Sequence, residues 1–313
     1  MDEIAVLIPC YNESKTIKKV IEDYKNILPQ ATIYVYDNNS TDGTDKLAEE
    51  AGAVVRYEYQ QGKGNVIRRM FREIDAKCYI MTDGDDTYGV ESVIEMVNMV
   101  KNKKVDMVIG DRLSSTYFKE NKRLFHNFGN KLVRFCVNFI FRSNLQDIFT
   151  GMRAFSYRFV KTFPVISKGF EIETELTMHA LDKNMYIETV LVNYKDRIEG
   201  SVSKLNTYID GFKVLMTILN FTKIYRPTVF FTCLFILSLF GSIFCYIGTF
   251  KFITRTYTLF GFVMFSLLAV CSLICGVVMS AFSYKSKADF EYRLIDIERG
   301  LDTEKIMKGK IQE

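Results

Sequence analysis

The amino-acid sequence predicts an α/β protein with a mostly parallel sheet, followed by two membrane-spanning helices. Three observations support this prediction. Short apolar segments alternate with amphipathic ones in the first part of the chain, which is typical of parallel strands covered by helices. Polar clusters directly follow several of the apolar segments, and ligands bind at such strand ends in parallel sheets. Two long uncharged apolar runs lie towards the C-terminal end.

Strands and helices are predicted in regular alternation over the first 109 residues. Residues 4–8 form a continuous apolar run, as expected for a strand that is buried on both faces. Residues 17–28 carry apolar side chains at helical spacing. The further predicted elements, in chain order, are strand 32–36, helix 44–51, strand 54–59, helix 65–74, strand 78–82, helix 90–101 and strand 105–109.

The apolar runs at 229–250 and 259–282 contain no charged residue. Each is longer than the roughly 20 residues that cross a bilayer as a helix. The short connection at 251–258 predicts a hairpin, and basic residues are more frequent beside its two outer ends than in that connection. The positive-inside rule therefore predicts that both termini are cytoplasmic. The predicted domains are a cytoplasmic α/β domain at 1–205, a juxtamembrane amphipathic helix at 206–227, the transmembrane hairpin at 228–283 and a cytoplasmic, helical tail at 284–313.

Charge and cysteine content exclude several classes of function. The 41 Lys and Arg residues barely exceed the 37 Asp and Glu residues, so charge predicts no nucleic-acid partner. The seven cysteines include no C-x-x-C pair, which argues against a disulfide framework and against a zinc site.

A pair of aspartates is the first candidate site. Asp83 and Asp85 follow the predicted strand at 78–82, and alternate residues of an extended segment face the same side. Two hard oxygen donors suit Mg²⁺ or Mn²⁺ together with substrate phosphates. A solvated acidic turn is the alternative for an isolated D-x-D pattern, but the position after an apolar strand favours a site.

Six segments together resemble known motifs. They are Pro-Cys-Tyr-Asn-Glu at 9–13, Asp-Asn-Asn-Ser-Thr-Asp-Gly-Thr at 37–44, Gly-Lys-Gly at 62–64, Asp-Gly-Asp at 83–85, Asp-Ile-Phe-Thr-Gly-Met-Arg at 147–153 and Gly-Ser-Val-Ser-Lys at 200–204. With them the chain resembles the inverting glycosyltransferases of family 2, and in particular the branch that acts on dolichyl or undecaprenyl phosphate. The resemblance implies a GT-A-type nucleotide-diphospho-sugar transferase domain, followed by interface helices and two transmembrane helices. It also implies a homo-oligomer.

The resemblance implies roles residue by residue. Asp83 is expected to hold the nucleotide sugar and Asp85 the metal, with both as candidate metal ligands, whereas Thr87 stands where many relatives carry Gln. The implied nucleotide-sugar site comprises Pro9, Tyr11, Asn12, Glu13, Asp37, Asn39, Asp42, Lys63, Asp83, Gly84 and Asp85. The implied catalytic residues are Asp83, Asp85, Arg112 and Arg123. The implied acceptor-phosphate site comprises Arg112, Arg123, Asn127, Arg153, Ser201 and Lys204, because arginine forks match phosphate oxygens.

An active site beside a bilayer suggests a lipid acceptor. Residues 117–142 combine near-helical apolar spacing with basic charge, which fits either a helix in an anionic membrane interface or an ordinary helix packed on the sheet. Residues 206–225 offer a second interface helix. Glu171 and Glu173 are expected on one face of an extended segment at 170–173, either as a general base or as exposed glutamates.

These observations together predict the transfer of one hexosyl unit from a nucleotide diphosphate sugar, with UDP favoured, to polyprenyl phosphate for cell-envelope or glycan assembly. Three alternatives are a processive polysaccharide synthase, a catalytically silent membrane scaffold and a transferase with a soluble acceptor. The first requires a Gln-x-x-Arg-Trp motif, and the chain has no Trp. A dinucleotide-binding dehydrogenase is disfavoured because Gly-Lys-Gly at 62–64 lacks a third glycine and follows the third strand.

Overall fold

The structure is a computed structural model that describes residues 1–113, 124–169, 171–195, 216, 219–251 and 255–312, with the backbone alone for 124–130, 249–251 and 302–312. The chain divides into two compact units, one formed by Met1–Asp210 with Ile297–Glu313 and the other by Gly211–Asp296. The domain boundaries at 205, 227 and 283 stay predictions.

The first unit is built on a seven-stranded sheet in the order β3-β2-β1-β4-β6-β5-β7. Only β6 runs antiparallel to its neighbours, β4 and β5, so the prediction of a mostly parallel sheet is confirmed. The strands are β1 Asp2–Cys10, β2 Thr32–Asp37, β3 Val54–Tyr57, β4 Ala76–Met81, β5 Met107–Asp111, β6 Arg153–Ser156 and β7 Ile187–Leu191. The central run at 4–8 is fully buried, as its unbroken apolar sequence predicts.

Helices follow most strands and cover the sheet. They are α1 Ile17–Ile27, α2 Thr44–Glu50, α3 Lys63–Glu73, α4 Val93–Asn102, α5 Leu124–Phe141, α6 Tyr157–Thr162 and α7 Ile172–Asp182. The chain passes from β1 to β2 and β3 on one side and returns to β4 on the other side. The carboxyl ends of β1, β2 and β4 therefore meet where the strand order reverses, which is the place where such sheets bind ligands.

The described residues of the second unit are mainly helical. The unit contains α8, Pro227–Lys251, and most of α9, Arg255–Gln312. Both helices are long and apolar enough to cross a bilayer, since an 18-residue stretch has a mean hydropathy of 2.2 within Pro227–Gly248 and of 2.6 within Arg255–Leu301. They pack closely: Ser242 and Ser266 share a hydrogen bond of 2.8 Å, and a Cβ atom added at Gly241 would lie 2.9 Å from the Phe265 ring. The tail that was predicted to be helical continues α9 without a break to Gln312.

Candidate active site

The loops after β1 and β2 are tied together by side chains of both. The Asn12 N–H donates to Ser40 Oγ over 2.9 Å, and Asn12 Oδ1 accepts from the Thr41 N–H over 2.8 Å. The Glu13 N–H donates to Thr44 Oγ1 over 2.9 Å. Asn12 adopts a left-handed backbone conformation, with φ at 57°, which asparagine tolerates better than most residues. The two polar clusters therefore form one continuous rim around the strand ends.

Asp42 belongs to this rim through its contacts with the chain itself. Its Oδ2 accepts from the Ser14 N–H over 3.0 Å, and its Oδ1 accepts from Thr44 Oγ1 over 2.5 Å. Burial alone would raise the pKa of Asp42, but the hydrogen bonds from Thr44 and Ser14 lower it below its ordinary value. Asp42 thus helps to shape the loops, and its contact with a ligand stays a prediction.

Asp37 ends β2 with a buried carboxylate. Its Oδ1 accepts from the Ser40 N–H over 2.9 Å, whereas its Oδ2 is buried and has no hydrogen-bond partner among the described residues. A buried acceptor without a donor is costly, so a ligand N–H or O–H at this point would be stabilising. The neighbouring Asn38 accepts from the Gly62 N–H over 2.7 Å, which attaches the start of α3 to the same rim.

Three further residues of the predicted nucleotide site, Pro9, Tyr11 and Asn39, lie at or just beyond the ends of β1 and β2. Pro9 pairs with Tyr36 in the sheet register. Tyr11 is exposed, and Asn39 donates its amide to the Tyr59 carbonyl over 3.0 Å. The residues predicted to surround a nucleotide are therefore close together in the structure.

Asp83 follows β4 and is paired with a buried cation. Lys63 Nζ lies 2.5 Å from Asp83 Oδ1 and 2.7 Å from Glu173 Oε1. Burial alone would lower the pKa of Lys63, but the carboxylates of Asp83 and Glu173 raise it above its ordinary value. Lys63 is therefore an ammonium held between two carboxylates. Glu173 is the partner that the nucleotide-site prediction omitted.

Glycines allow the backbone to approach the aspartates closely. A Cβ atom at Gly151 would lie 2.4 Å from Asp83 Oδ2, and one at Gly84 would lie 2.8 Å from Cys10 Sγ. The Gly151 N–H donates to the Tyr88 hydroxyl over 2.8 Å. Gly151 therefore sets one wall of the Asp83 pocket, and Gly84 packs on the end of β1.

Asp85 is buried, and its carboxylate is oriented by Thr87. Asp85 Oδ1 accepts from Thr87 Oγ1 over 2.7 Å and from the Thr87 N–H over 3.3 Å. Among the described residues no group of three or more His, Cys, Asp and Glu side chains is arranged to hold a metal ion. The donor set fits a cation such as Mg²⁺ or Mn²⁺, which takes one or two carboxylates and completes its shell with water and substrate phosphates. Since Asp83 Oδ1 contacts the Lys63 ammonium, Asp85 is the better placed of the two predicted ligands.

Arg112 lies just beyond the end of β5 and is held by a buried carboxylate. Its Nε donates to Asp147 Oδ2 over 2.8 Å, and its guanidinium stacks over the Tyr194 ring at 5.4 Å from the centroid. Burial alone would lower the pKa of Arg112, but Tyr88 and Asp147 raise it well above its ordinary value. Arg112 is thus a fixed cation whose orientation is set by a residue of the 147–153 motif.

Arg153 is not available to a ligand in this structure. It is fully buried, and its guanidinium donates to the Thr150 carbonyl, the Ile148 carbonyl and Thr177 Oγ1. Burial lowers its pKa to about 10. The geometry therefore contradicts the prediction that Arg153 contacts an acceptor phosphate, because its hydrogen bonds hold the 147–153 segment instead.

The extended conformation expected at 170–173 is wrong for the described residues 171–173. Helix α7 begins at Ile172, and Glu171 occupies the preceding cap position, because four residues of alternation are too few to distinguish a strand from the first turn of a helix. Glu171 is exposed, whereas Glu173 is buried against Lys63. The two glutamates therefore have different surroundings, and only Glu173 reaches the site.

The remaining acceptor-site predictions are not tested by the geometry. Arg123, Ser201 and Lys204 lie outside the described residues, as does most of 206–225, and Asn127 is described by its backbone alone.

Helix α5 has one packed side, with Val133 and Val137 buried, and an exposed side on which Phe135 and Phe139 stack at 6.1 Å. It therefore combines a face packed in the protein with an aromatic face open to its surroundings.

Comparison with known proteins identifies the class of enzyme. The family model described as Glycosyl transferase family 2 matches residues 5–163. The chain is 33% identical over 231 residues to the glycosyltransferase AglJ of Haloferax volcanii, covering 74% of this chain and 75% of AglJ. The protein belongs to glycosyltransferase family 2 and is a glycosyltransferase that uses a nucleotide sugar.

A second relative and a solved structure give finer similarities. The dolichyl-phosphate hexose transferase of Haloferax volcanii is 26% identical over 210 residues, which cover 67% of this chain and 90% of that protein. Glucosyl-3-phosphoglycerate synthase of Mycobacterium tuberculosis with bound UDP has a TM-score of 0.58 at 19% identity, covering 70% of this chain and 80% of the other. A structure of that synthase with Mn²⁺, UDP and phosphoglyceric acid has a TM-score of 0.55 at 18% identity and covers 70% of this chain and 78% of the other. The likeness confirms the GT-A-type fold.

Proposed function

We propose that this enzyme transfers a single hexosyl unit from a nucleotide diphosphate sugar to polyprenyl phosphate, with inversion at the anomeric carbon. The observation that carries the proposal is the double contact of segment 147–151. Its first residue, Asp147, holds Arg112, and its last residue, Gly151, packs against the carboxylate of Asp83. One short segment thereby holds a cation suited to a phosphate acceptor and contacts a carboxylate suited to a sugar donor.

The chemistry needs no strong base. A phosphate monoester has its second pKa near 6, so the acceptor is largely a dianion at neutral pH. One acceptor oxygen forms a bond to the anomeric carbon, and the bond from that carbon to the diphosphate oxygen breaks, with its electron pair leaving on the nucleoside diphosphate. Arg112 orients the acceptor through its guanidinium, which is itself held by Asp147. Positioning of this kind supplies roughly 7 kcal/mol or more of the barrier reduction.

A divalent cation, Mg²⁺ or Mn²⁺, is part of the proposal. When bound, such an ion stabilises negative charge on the leaving diphosphate. Asp85 would hold it, with its carboxylate oriented by Thr87, and Asp83 would hold the donor sugar. The Mn²⁺ and UDP in a structural neighbour support this arrangement, and UDP is the favoured nucleotide for the same reason.

The lipid acceptor is supported by three features. The relatives include a dolichyl-phosphate hexose transferase, and α8 and α9 are long and apolar enough to span a bilayer. The exposed pair Phe135 and Phe139 on α5 suits the boundary between head groups and acyl chains. We place both termini and the catalytic domain in the cytoplasm by the positive-inside rule, and expect a homo-oligomer.

The proposal is tested by incubating the purified full-length protein with labelled UDP-glucose, UDP-N-acetylglucosamine or GDP-mannose, undecaprenyl phosphate and Mg²⁺ or Mn²⁺. We expect an organic-extractable lipid-linked sugar from one donor. Its formation should require both the lipid phosphate and the cation. The Asp85→Ala variant should lose most turnover but keep its thermal midpoint. Near-normal turnover of that variant with added cation would contradict the metal assignment, and transfer that does not need lipid phosphate would contradict the acceptor.

A further inference from the structure

The side chain of Glu173 ends a chain of buried charges that begins at Asp83. Glu173 Oε1 lies 2.7 Å from Lys63 Nζ, which lies 2.5 Å from Asp83 Oδ1. We infer that Glu173 is a positioning residue that acts through Lys63 to hold Asp83 for the hexose of the donor, and not for its diphosphate. The inference rests on the proposed use of a nucleotide diphosphate sugar.

The order in which these three side chains are buried shows which of them can contact a ligand and which can only support that contact. The exposed fraction of the side chain falls from 26% for Asp83 to 10% for Lys63 and 6% for Glu173. A ligand that enters the site therefore meets Asp83 first, and Glu173 lies deepest. Glu173 influences the ligand by fixing the ammonium that fixes Asp83.

The net charge of the cluster formed by Asp83, Lys63 and Glu173 determines which part of the donor can bind there. Two carboxylates and one ammonium leave one negative charge, and buried carboxylate oxygens are hydrogen-bond acceptors. A diphosphate is an anion whose oxygens also accept, so this cluster repels it. Hexose hydroxyl groups are neutral and donate hydrogen bonds, so they match the cluster. The Gly-Lys-Gly sequence at 62–64 alone suggests a phosphate-binding loop, but the two carboxylates around Lys63 remove the charge that such a loop needs.

Helix α7 couples Glu173 rigidly to the start of α3. In the same turn, Glu175 accepts from the N–H groups of Ile166 and Ser167 over 3.1 and 2.8 Å. The next residue, Lys168, accepts from the Gly64 N–H over 3.0 Å. The first turn of α7 thus holds Lys63 by its side chain through Glu173 and holds the adjoining backbone through Glu175.

The test measures binding, which does not depend on the acceptor. Full-length wild-type protein and the Glu173→Gln variant, in detergent with Mn²⁺, are titrated calorimetrically with the sugar nucleotides UDP-glucose, UDP-N-acetylglucosamine and GDP-mannose, and with UDP and GDP. Glutamine keeps the size and one acceptor oxygen but removes the charge. We expect the Kd of the preferred sugar nucleotide to rise about tenfold, which corresponds to weakening one charged hydrogen bond. The Kd of the matching nucleoside diphosphate should change less than about twofold.

The control variant is Glu171→Gln, because Glu171 is an exposed glutamate beside the same helix turn. It should bind both ligands as the wild type does. If Glu173→Gln does not fold, Lys63→Arg gives the same test, since it keeps the charge but moves it relative to Asp83. If the Kd values of the sugar nucleotide and of the nucleoside diphosphate rise equally, or if neither rises, the role of Glu173 is overturned and the proposed function is not. Wild-type protein that binds no sugar nucleotide would overturn the proposed function and this inference with it.

Discussion

Thr87 donates its hydroxyl hydrogen to Asp85 Oδ1 over 2.7 Å. The N–H of the same residue points to the same oxygen over 3.3 Å. Both bonds fix one carboxylate oxygen and so determine the direction of the other. Thr87 stands where the resemblance leads us to expect Gln, and its contact gives it the role of orienting Asp85.

The first prediction concerns this contact. Thr87→Val replaces the hydroxyl with a methyl group of similar size, so Asp85 keeps its packing but loses a hydrogen bond. A hydrogen bond to a charged group contributes about 1.5–3 kcal/mol, so the cation concentration for half-maximal turnover should rise about tenfold or more. The measurement is turnover as a function of Mg²⁺ or Mn²⁺ concentration. Thr87→Ser keeps the hydroxyl and should behave as the wild type, and an unchanged cation requirement in Thr87→Val would exclude the orienting role.

The second prediction uses the close approach of Gly151 to Asp83. A Cβ atom at 151 would lie 2.4 Å from Asp83 Oδ2, so Gly151→Ala must displace the carboxylate or the segment. We expect kcat/KM for the sugar nucleotide to fall at least about tenfold, because a displaced Asp83 carboxylate loses its hydrogen bond to the donor, and a charged hydrogen bond contributes about 1.5–3 kcal/mol. The control is Gly300→Ala in α9, where a Cβ atom meets nothing within 4 Å. Equal activity of the two variants would show that the Asp83 pocket tolerates the added methyl group.

The central sheet was predictable because its strands carry unambiguous local signals. The run at 4–8 has no polar residue and is fully buried in β1, and Asp83 and Asp85 follow β4 as their position in the sequence indicates. These features depend on neighbours along the chain. The sequence pattern therefore identified the edge of the sheet that carries the site.

The pairings within the site were not predictable, since they depend on residues that are distant in sequence. Glu173 reaches Lys63 only because α7 packs beside the start of α3. Arg153 resembles a phosphate ligand by its motif but points into the protein towards Thr177. Asp147 belongs to the same motif, and only the fold reveals that it holds Arg112.

The third prediction tests Arg112 as an acceptor-binding residue. Arg112→Lys keeps the charge but loses the Nε that donates to Asp147 and the planar fork that matches phosphate oxygens. The KM for polyprenyl phosphate should rise about tenfold, while the KM for the sugar nucleotide should change little. Arg123→Ala should give the same pattern if Arg123 shares this role.

The control for this pair of variants is Arg69→Gln, which removes a half-buried arginine that pairs with Glu73 on α3. Steady-state kinetics with each substrate varied in turn provide the measurement. If Arg112→Lys raises both KM values equally, Arg112 supports the structure of the whole site and does not bind the acceptor specifically.

The fourth prediction concerns acid stability. Burial, and then the charge of Lys183, lower the pKa of His179 from 6.5 to about 3. The unfolded chain takes up a proton near pH 6.5, whereas the folded protein does not until about pH 3. The contribution of His179 to the free energy of unfolding is therefore fully present above pH 6.5. It is lost as the pH falls from 6.5 towards 3, by about 1.4 kcal/mol per pH unit.

The measurement is urea unfolding of the full-length protein in detergent at about pH 7.5 and about pH 5, where the loss due to His179 should reach about 2 kcal/mol. In His179→Gln, the decrease in the free energy of unfolding between the two pH values should be smaller by about 2 kcal/mol. The chain has one other histidine, His126, so His126→Gln serves as the control. The same pH dependence in His179→Gln and in the wild type would refute the assignment.

The last prediction addresses the exposed aromatic face of α5. Phe135 and Phe139 are 66% and 73% exposed, and insertion of such rings into a membrane interface is favourable by roughly 1 kcal/mol or more each. Replacing both with Ser should lower kcat/KM about tenfold for polyprenyl phosphate in anionic vesicles and leave it unchanged for a short-chain, water-soluble isoprenyl phosphate. Vesicle binding itself is not a suitable measurement, because the apolar helices α8 and α9 would hold the protein in the bilayer in either case. The control is Tyr186→Ser. Tyr186 is an exposed aromatic residue at the amino end of β7, and hence at the edge of the sheet opposite the site. Its replacement should leave kcat/KM unchanged for both acceptors. A double variant that loses activity equally on both acceptors would mean that this face supports the fold of the site and does not contact lipid.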